Sequence, residues 1–252
     1  MLDTKTNKLS LLGLCLCAFL LGGCASNQQS APGDPYESAN RKIYNFNDSI
    51  DKNFFQPVAR GYVKVTPNPV RSGVTNFFSN VGYLNVMAND LLQGKFEQFA
   101  RDTSRFFINS TVGLGGIFDP ATDVGLSAQN EDLGQTFGVW GAGEGAYLNI
   151  PFAGPSSFRD APGFISAMAL NPLTYLNPIV TIPTGFISAV NARANLLEAT
   201  SIRDQAALDP YTFVREAYRQ QREFLIHDGN PPGDDFDDYI EGDADATILK
   251  IY

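Results

Sequence analysis

Residues 161–192 run without a single charged side chain, are rich in Phe, Ile, Leu and Met, and are interrupted by Pro162, Pro172, Pro178 and Pro183. No other segment limits the fold so strongly. A membrane-spanning helix needs about 20 uninterrupted apolar residues, and proline removes a backbone donor and clashes with the preceding turn. Four prolines in so short a stretch forbid a span. Short helices and turns remain, and they either pack in a core or lie in the interfacial plane of a membrane. The residues alone leave both readings open. The chain as a whole is also sparing with charge: 18% of its 252 residues are charged, against roughly 25% in soluble domains.

The two ends read differently from the middle. Residues 1–23 have the form of a secretory signal, with Lys5 and Lys8 ahead of a Leu-dominated run over 9–21. That run closes in LGGC, which resembles the lipobox of bacterial lipoproteins, so cleavage is expected before Cys24 and lipidation on its thiol. Cys15 and Cys17 leave with the signal, so neither disulfide nor thiol chemistry is expected. Several acyl chains give stable anchoring where one would be marginal. Ala25 stands where inner-membrane retention would call for Asp, and that sorting rule implies the periplasmic face of the outer membrane. Residues 24–33 read as a polar tether and 230–252 as a disordered acidic tail, with seven acids against Lys250. The body is a single domain over 34–229.

Its pattern is mainly helical. Asp34, Pro35 and Glu37 read as an N-cap, first-turn proline and capping acid, with Ile43, Phe46, Ile50 and Phe54 following at helical spacing as far as Pro57. A second helix is expected over 72–93 with Gly94 as its stop, a third over 95–110, and a last one from the Asp209-Pro210 start to Gly229. Residues 113–158 hold ten glycines and read as loops with a short hairpin, in which Val139, Tyr147, Leu148 and Ile150 alternate.

Composition excludes several function classes. A net charge of −9 and pI near 4.6 argue against a nucleic-acid binder, which shows a basic footprint. One His rules out HExxH and any multi-histidine metal centre, and no cofactor motif is present. His227, at the end of the last helix, suits a cap that complements the helix dipole better than a catalytic base. Residues 154–158 (GPSSF) lack the second Gly of a nucleophile elbow. Nothing in the sequence makes Glu131, Asp132 and Asp160 converge. Local charge is basic over 40–110, where nine bases face five acids, a balance suited to lipid phosphates or, residue by residue, to a solvated helix face with local ion pairs.

These segments together carry a resemblance. DPYESANRKIYNFN (34–47), FFSN (77–80), NDLLQGK (89–95), RFFINSTVGLGGIFDPAT (105–122), EDLGQTFGVWG (131–141), YLNIPFAGPSSFRD (147–160) and DPYTFVREAYRQQR (209–222) closely resemble the MlaA/VacJ family of outer-membrane lipoproteins. Leu84, where relatives commonly have Pro, and Ala146, where many read GPY, depart from the pattern. The resemblance implies a ring of amphipathic and short proline-broken interfacial helices in the inner leaflet of the outer membrane, around an amphipathic channel. It implies removal of misplaced glycerophospholipids from the outer leaflet, delivery to a periplasmic lipid-carrier protein, association with a trimeric porin, and no covalent chemistry. Tyr44, Asn45, Phe46 and Asn47 are the expected channel or gating residues, and Arg41, Lys42 and Arg159 the expected headgroup contacts. Arg159 and Asp160 also suit a structural pair. Two other functions fit less of the sequence: a lipid-modifying hydrolase using Ser156, and a purely structural porin-associated lipoprotein.

Overall fold

The structure is a computed structural model that describes residues 33–231. The signal segment, Cys24, nearly all of the tether and nearly all of the acidic tail lie outside the described residues. Helix α1 spans Glu37–Ile50 and passes through a π-turn, Asp51–Phe55, into α2, Gln56–Val65. Two sequence expectations are corrected here. Asp34 is not the N-cap, because that position is Tyr36 with no side-chain cap. The Asp34 carboxylate is instead buried, accepting from Asn40 (2.8 Å), Arg215 (3.2 Å) and the Tyr211 hydroxyl. A charge-assisted buried site outcompetes one exposed backbone N–H. Nor does Pro57 end the helical path. The π-turn reaches back one residue further, from Gln56 N–H to Asp51 O, which places Pro57 in a fresh first turn where no donor is needed.

Helix α3, Asn68–Gln93, starts four residues before the expected position because Pro69 sits in its first turn. It runs unbroken through Leu84 and stops at Gly94, whose φ of 74° lets Lys95 N–H reach Asp90 O (2.9 Å). Helix α4 follows as Phe96–Thr111. The next segment holds more helix than expected: α5, Pro120–Asp123, and α6, Leu133–Val139. Val139 is therefore a helical residue and not a strand position. Asp119 and Asp132 cap these short helices by accepting from Thr122 and Gln135, a local signal too brief for periodicity to reveal. The hairpin is present, β1 Tyr147–Ile150 against β2 Gly154–Ser157, antiparallel with Tyr147 opposite Ser157.

The charge-free segment forms α7, Ala161–Leu170, a 3₁₀ turn, Pro172–Tyr175, and the first part of α8, Pro178–Asn195. Pro162, Pro172 and Pro178 each open one of these elements, the position that tolerates proline. Pro183 lies inside α8, so that helix is longer than the expected pieces. Ile165, Met168, Tyr175, Ile179 and Ile182 are each 63–79% exposed, which resolves the open alternative against core packing. No helix among the described residues is long and apolar enough to cross a membrane. Helices α9, Leu197–Ala206, and α10, Pro210–Ile226, complete the fold, with His227 as the C-cap of α10.

Contacts close a circuit. The path runs from α1 through the π-turn to α2, on to α9, α10, β2 and β1, and back to α1. Helix α8 packs against α2 and α9, while α3 joins this circuit to a flank of α4, α6 and α7. The fold is thus mainly α with one small sheet, as expected. Its interior is unusual: among the described residues, polar side chains outnumber apolar ones in the buried set, and many large apolar side chains are exposed.

Candidate functional site

The circuit frames an open cavity of about 480 Å³, within the size range of small-ligand sites. Each wall has its own chemistry. Ile50 and Phe55 come from α1 and the π-turn, and Ala189, Ala192 and Leu196 from α8 and its junction with α9. Phe152, Ala153 and Pro155 come from the hairpin. Among the described residues, charge enters through Asp48, Asp51, Arg193 and Arg203. Asp48 and Asp51 are three residues apart across the α1–π-turn join, so they share a face. Arg193 of α8 grips Asp51 bidentately (Nε–Oδ1 2.6 Å, Nη2–Oδ2 2.8 Å). Arg203 of α9 reaches Asp48 at 3.4 Å but holds Asp204 more tightly, at 2.6 and 2.9 Å. Burial works against the charge of Arg203, yet the Asp204 hydrogen bond and the nearby carboxylates outweigh it and raise its pKa.

Three residues lining this cavity hold buried donors with no acceptor: Tyr44 through its hydroxyl, Asn149 through Nδ2 and Arg193 through Nη1. Burial raises the Tyr44 pKa, so the phenol stays protonated and able to donate. An unmet buried donor is costly, about 1–3 kcal/mol. These three atoms are closed off from the cavity, so what it offers a guest is its apolar walls and the charged pairs that line them.

The expected gating residues cluster at this wall without sharing one role. Tyr44 lines the cavity and meets Tyr211 edge-on at 5.7 Å. Asn47 clasps the hairpin turn, donating to Ile150 O (2.9 Å) and Asn149 Oδ1 (3.2 Å) while accepting from Phe152 N–H (2.8 Å). Phe46 packs on Phe152 at 5.4 Å, and Asn45 is exposed. The expected headgroup cations are scattered. Arg41 is engaged by Glu37 (2.7 Å) and Asp209 (2.6 Å), and Arg41 together with Thr212 holds Asp209 well below the usual carboxylate range. Lys42 is exposed on α1. Arg159 pairs with Asp160 at 2.9 Å, the structural alternative named for it.

Asp132 and Asp160, which the sequence did not bring together, both meet Arg222, at 2.5 and 3.1 Å. Gly134 permits that approach, because a Cβ there would lie 2.4 Å from Asp160 Oδ1. Both carboxylates are held below their ordinary values: burial pushes each up, and Arg222 and Gln135 around Asp132, with Arg159, Tyr218 and Arg222 around Asp160, more than offset it. They are structural counter-ions. Ser156 is buried, and its Oγ faces the backbone oxygen of Ser157 at 3.5 Å. The sequence reading missed Arg193 and Arg203. The available signal was that Arg193 is the first charge after residue 160 and opens the next basic pair.

Comparison with known proteins agrees with this architecture. The family model described as MlaA lipoprotein matches residues 32–225. The chain is 35% identical over 228 residues to the intermembrane phospholipid transport system lipoprotein MlaA of Escherichia coli strain K12, covering 88% of this chain and 90% of that protein. It is 32% identical to the protein of the same name from Haemophilus influenzae, over 90% of this chain and 93% of the relative. A solved structure from work on the "structural basis for maintenance of bacterial outer membrane lipid asymmetry" superposes with a TM-score of 0.68 at 31% identity. It covers 77% of this chain and 98% of the matched one.

Proposed function

Because the chain belongs to the MlaA lipoprotein family, we propose that it takes mislocalised glycerophospholipids from the outer leaflet through this cavity and passes them to a periplasmic carrier, keeping the outer membrane asymmetric. The observation that carries this reading is the cavity itself: apolar walls interrupted by two carboxylate–guanidinium pairs. A headgroup meets polar groups inside while its acyl chains stay among apolar ones, which lowers the barrier to crossing the leaflet boundary. No bond is made or broken. Direction comes from the carrier and from an energised transporter beyond it.

Placement in this reading rests on the family resemblance together with the exposed apolar faces. Acyl chains on Cys24 anchor the 34–229 domain at the periplasmic face, and the exposed apolar sides of α7 and α8 lie in the inner leaflet beside a trimeric porin. Tyr44 and Asn47 contribute to the gate through the contacts just described. Deletion of the gene in the source bacterium tests the function, with surface-exposed phospholipid assayed in intact cells. Accumulation that the wild-type gene reverses is the expected result. Unchanged surface phospholipid sinks the transfer reading and leaves a structural role, and release of fatty acid by purified protein, abolished by Ser156→Ala, points to hydrolysis instead.

A further inference from the structure

We propose that the cavity selects zwitterionic over anionic phospholipid headgroups, with Asp48 and Asp51 as the specificity-determining residues. This inference rests on the reading of the cavity as the lipid's path. The charged lining is balanced, two carboxylates against two guanidinium groups, and each arginine is already engaged. A phosphodiester entering alone that takes Arg193 from Asp51 leaves that three-quarters-buried carboxylate without its guanidinium partner, an unfavourable exchange. A headgroup that also carries an ammonium avoids this. Its phosphate takes the guanidinium, its ammonium takes the released carboxylate, and the number of ion pairs is conserved.

The local geometry favours that exchange. The carboxylates are the more open partners, with side chains 24% exposed for Asp51 and 20% for Asp48, against 11% for Arg193 and 14% for Arg203. The Arg203–Asp48 contact, at 3.4 Å, is the longer and the more easily opened one. Lys52, half exposed, already places an ammonium 2.8 Å from Asp48 Oδ2. That is the position a ligand ammonium takes, and an exposed pair of this kind is worth little and readily exchanged.

The test loads full-length protein, extracted from membranes, from vesicles of equimolar phosphatidylethanolamine and phosphatidylglycerol, and quantifies the lipid retained after purification. Wild-type protein is expected to retain the ethanolamine lipid at least fivefold over the glycerol lipid. Asp48→Asn with Asp51→Asn brings the ratio to near one by raising retention of the glycerol lipid. Retention of both lipids in the vesicle ratio by wild-type protein overturns the selectivity while leaving the lipid path intact, and needs no variant to fold. A preference that survives both substitutions removes Asp48 and Asp51 as its source. Retention of neither lipid sinks the lipid-path reading, and this inference with it.

Discussion

Helix α10 turns Arg215, Arg219 and Arg222 inward onto Asp34, Glu144, Asp132 and Asp160, whereas α7 and the first half of α8 turn Ile165, Met168, Ile179 and Ile182 outward. In a protein surrounded by water the two sets would exchange places. Buried charges tolerate desolvation only when paired and hydrogen-bonded, and α10 meets that condition with several partners at once: Asp160 also accepts from the Tyr218 hydroxyl at 2.6 Å. Exposed apolar surface of this extent marks an interaction site. The difference teaches that the interior of this fold is a lattice of directional bonds, while its apolar effect is reserved for the surroundings.

Three experiments break or sharpen that contrast. The largest effect is expected from Arg222→Ala, which strands the Asp132 and Asp160 carboxylates and should destabilise the fold by about 3–5 kcal/mol, read by urea unfolding. A loss below about 1 kcal/mol means the lattice is not what holds α10. The next concerns Asp90, fully buried on α3, whose carboxyl is pushed up to about 7 by burial first and then by the nearby Asp102 and Glu131 charges, with Lys95 acting in the opposite sense. The native state therefore binds the proton more tightly than the unfolded chain. Stability is lost as pH rises from the ordinary carboxylate range through about 7, and levels off above it. Asp90→Asn should gain several °C in Tm over wild type at pH 8 and little at pH 4, and melts showing the same difference at both pH values contradict the assignment. The smallest effect on the fold comes from charging the outer face. Ile165→Asp, Ile179→Asp and Ile182→Asp together, in a Cys24→Ser background, should leave Tm within a few degrees yet weaken vesicle flotation about tenfold, roughly 1.4 kcal/mol. Loss of folding instead would show these side chains to be core.

Much of the fold was legible because its signals are local. Gly94 ends α3 through a positive φ that glycine alone adopts cheaply, and Asp209-Pro210 opens α10 with the Asp209 side chain accepting from Tyr211 N–H at 3.1 Å. Where local and distant chemistry compete for one side chain, sequence reading fails. Asp34 has the composition of a cap and is drawn inward by residues more than 170 positions away. Short helices such as α6 escape notice because seven residues complete barely two turns. The site was half legible. Tyr44 and Asn47 came from the motif they belong to, but Arg193 and Arg203 acquire meaning only beside Asp51 and Asp48.

The sequence by itself determined several helix starts and stops, the lack of a spanning helix over 161–192 and the family, because each depends on residues within a few turns of one another or on a linear pattern of motifs. Only the tertiary structure decided that Ile165, Met168, Ile179 and Ile182 face outward, that Asp132 and Asp160 share Arg222, and that two ion pairs line one cavity. Those outcomes depend on which surfaces meet when distant helices close a circuit, and burial, pairing and desolvation are properties of that meeting and not of any one segment.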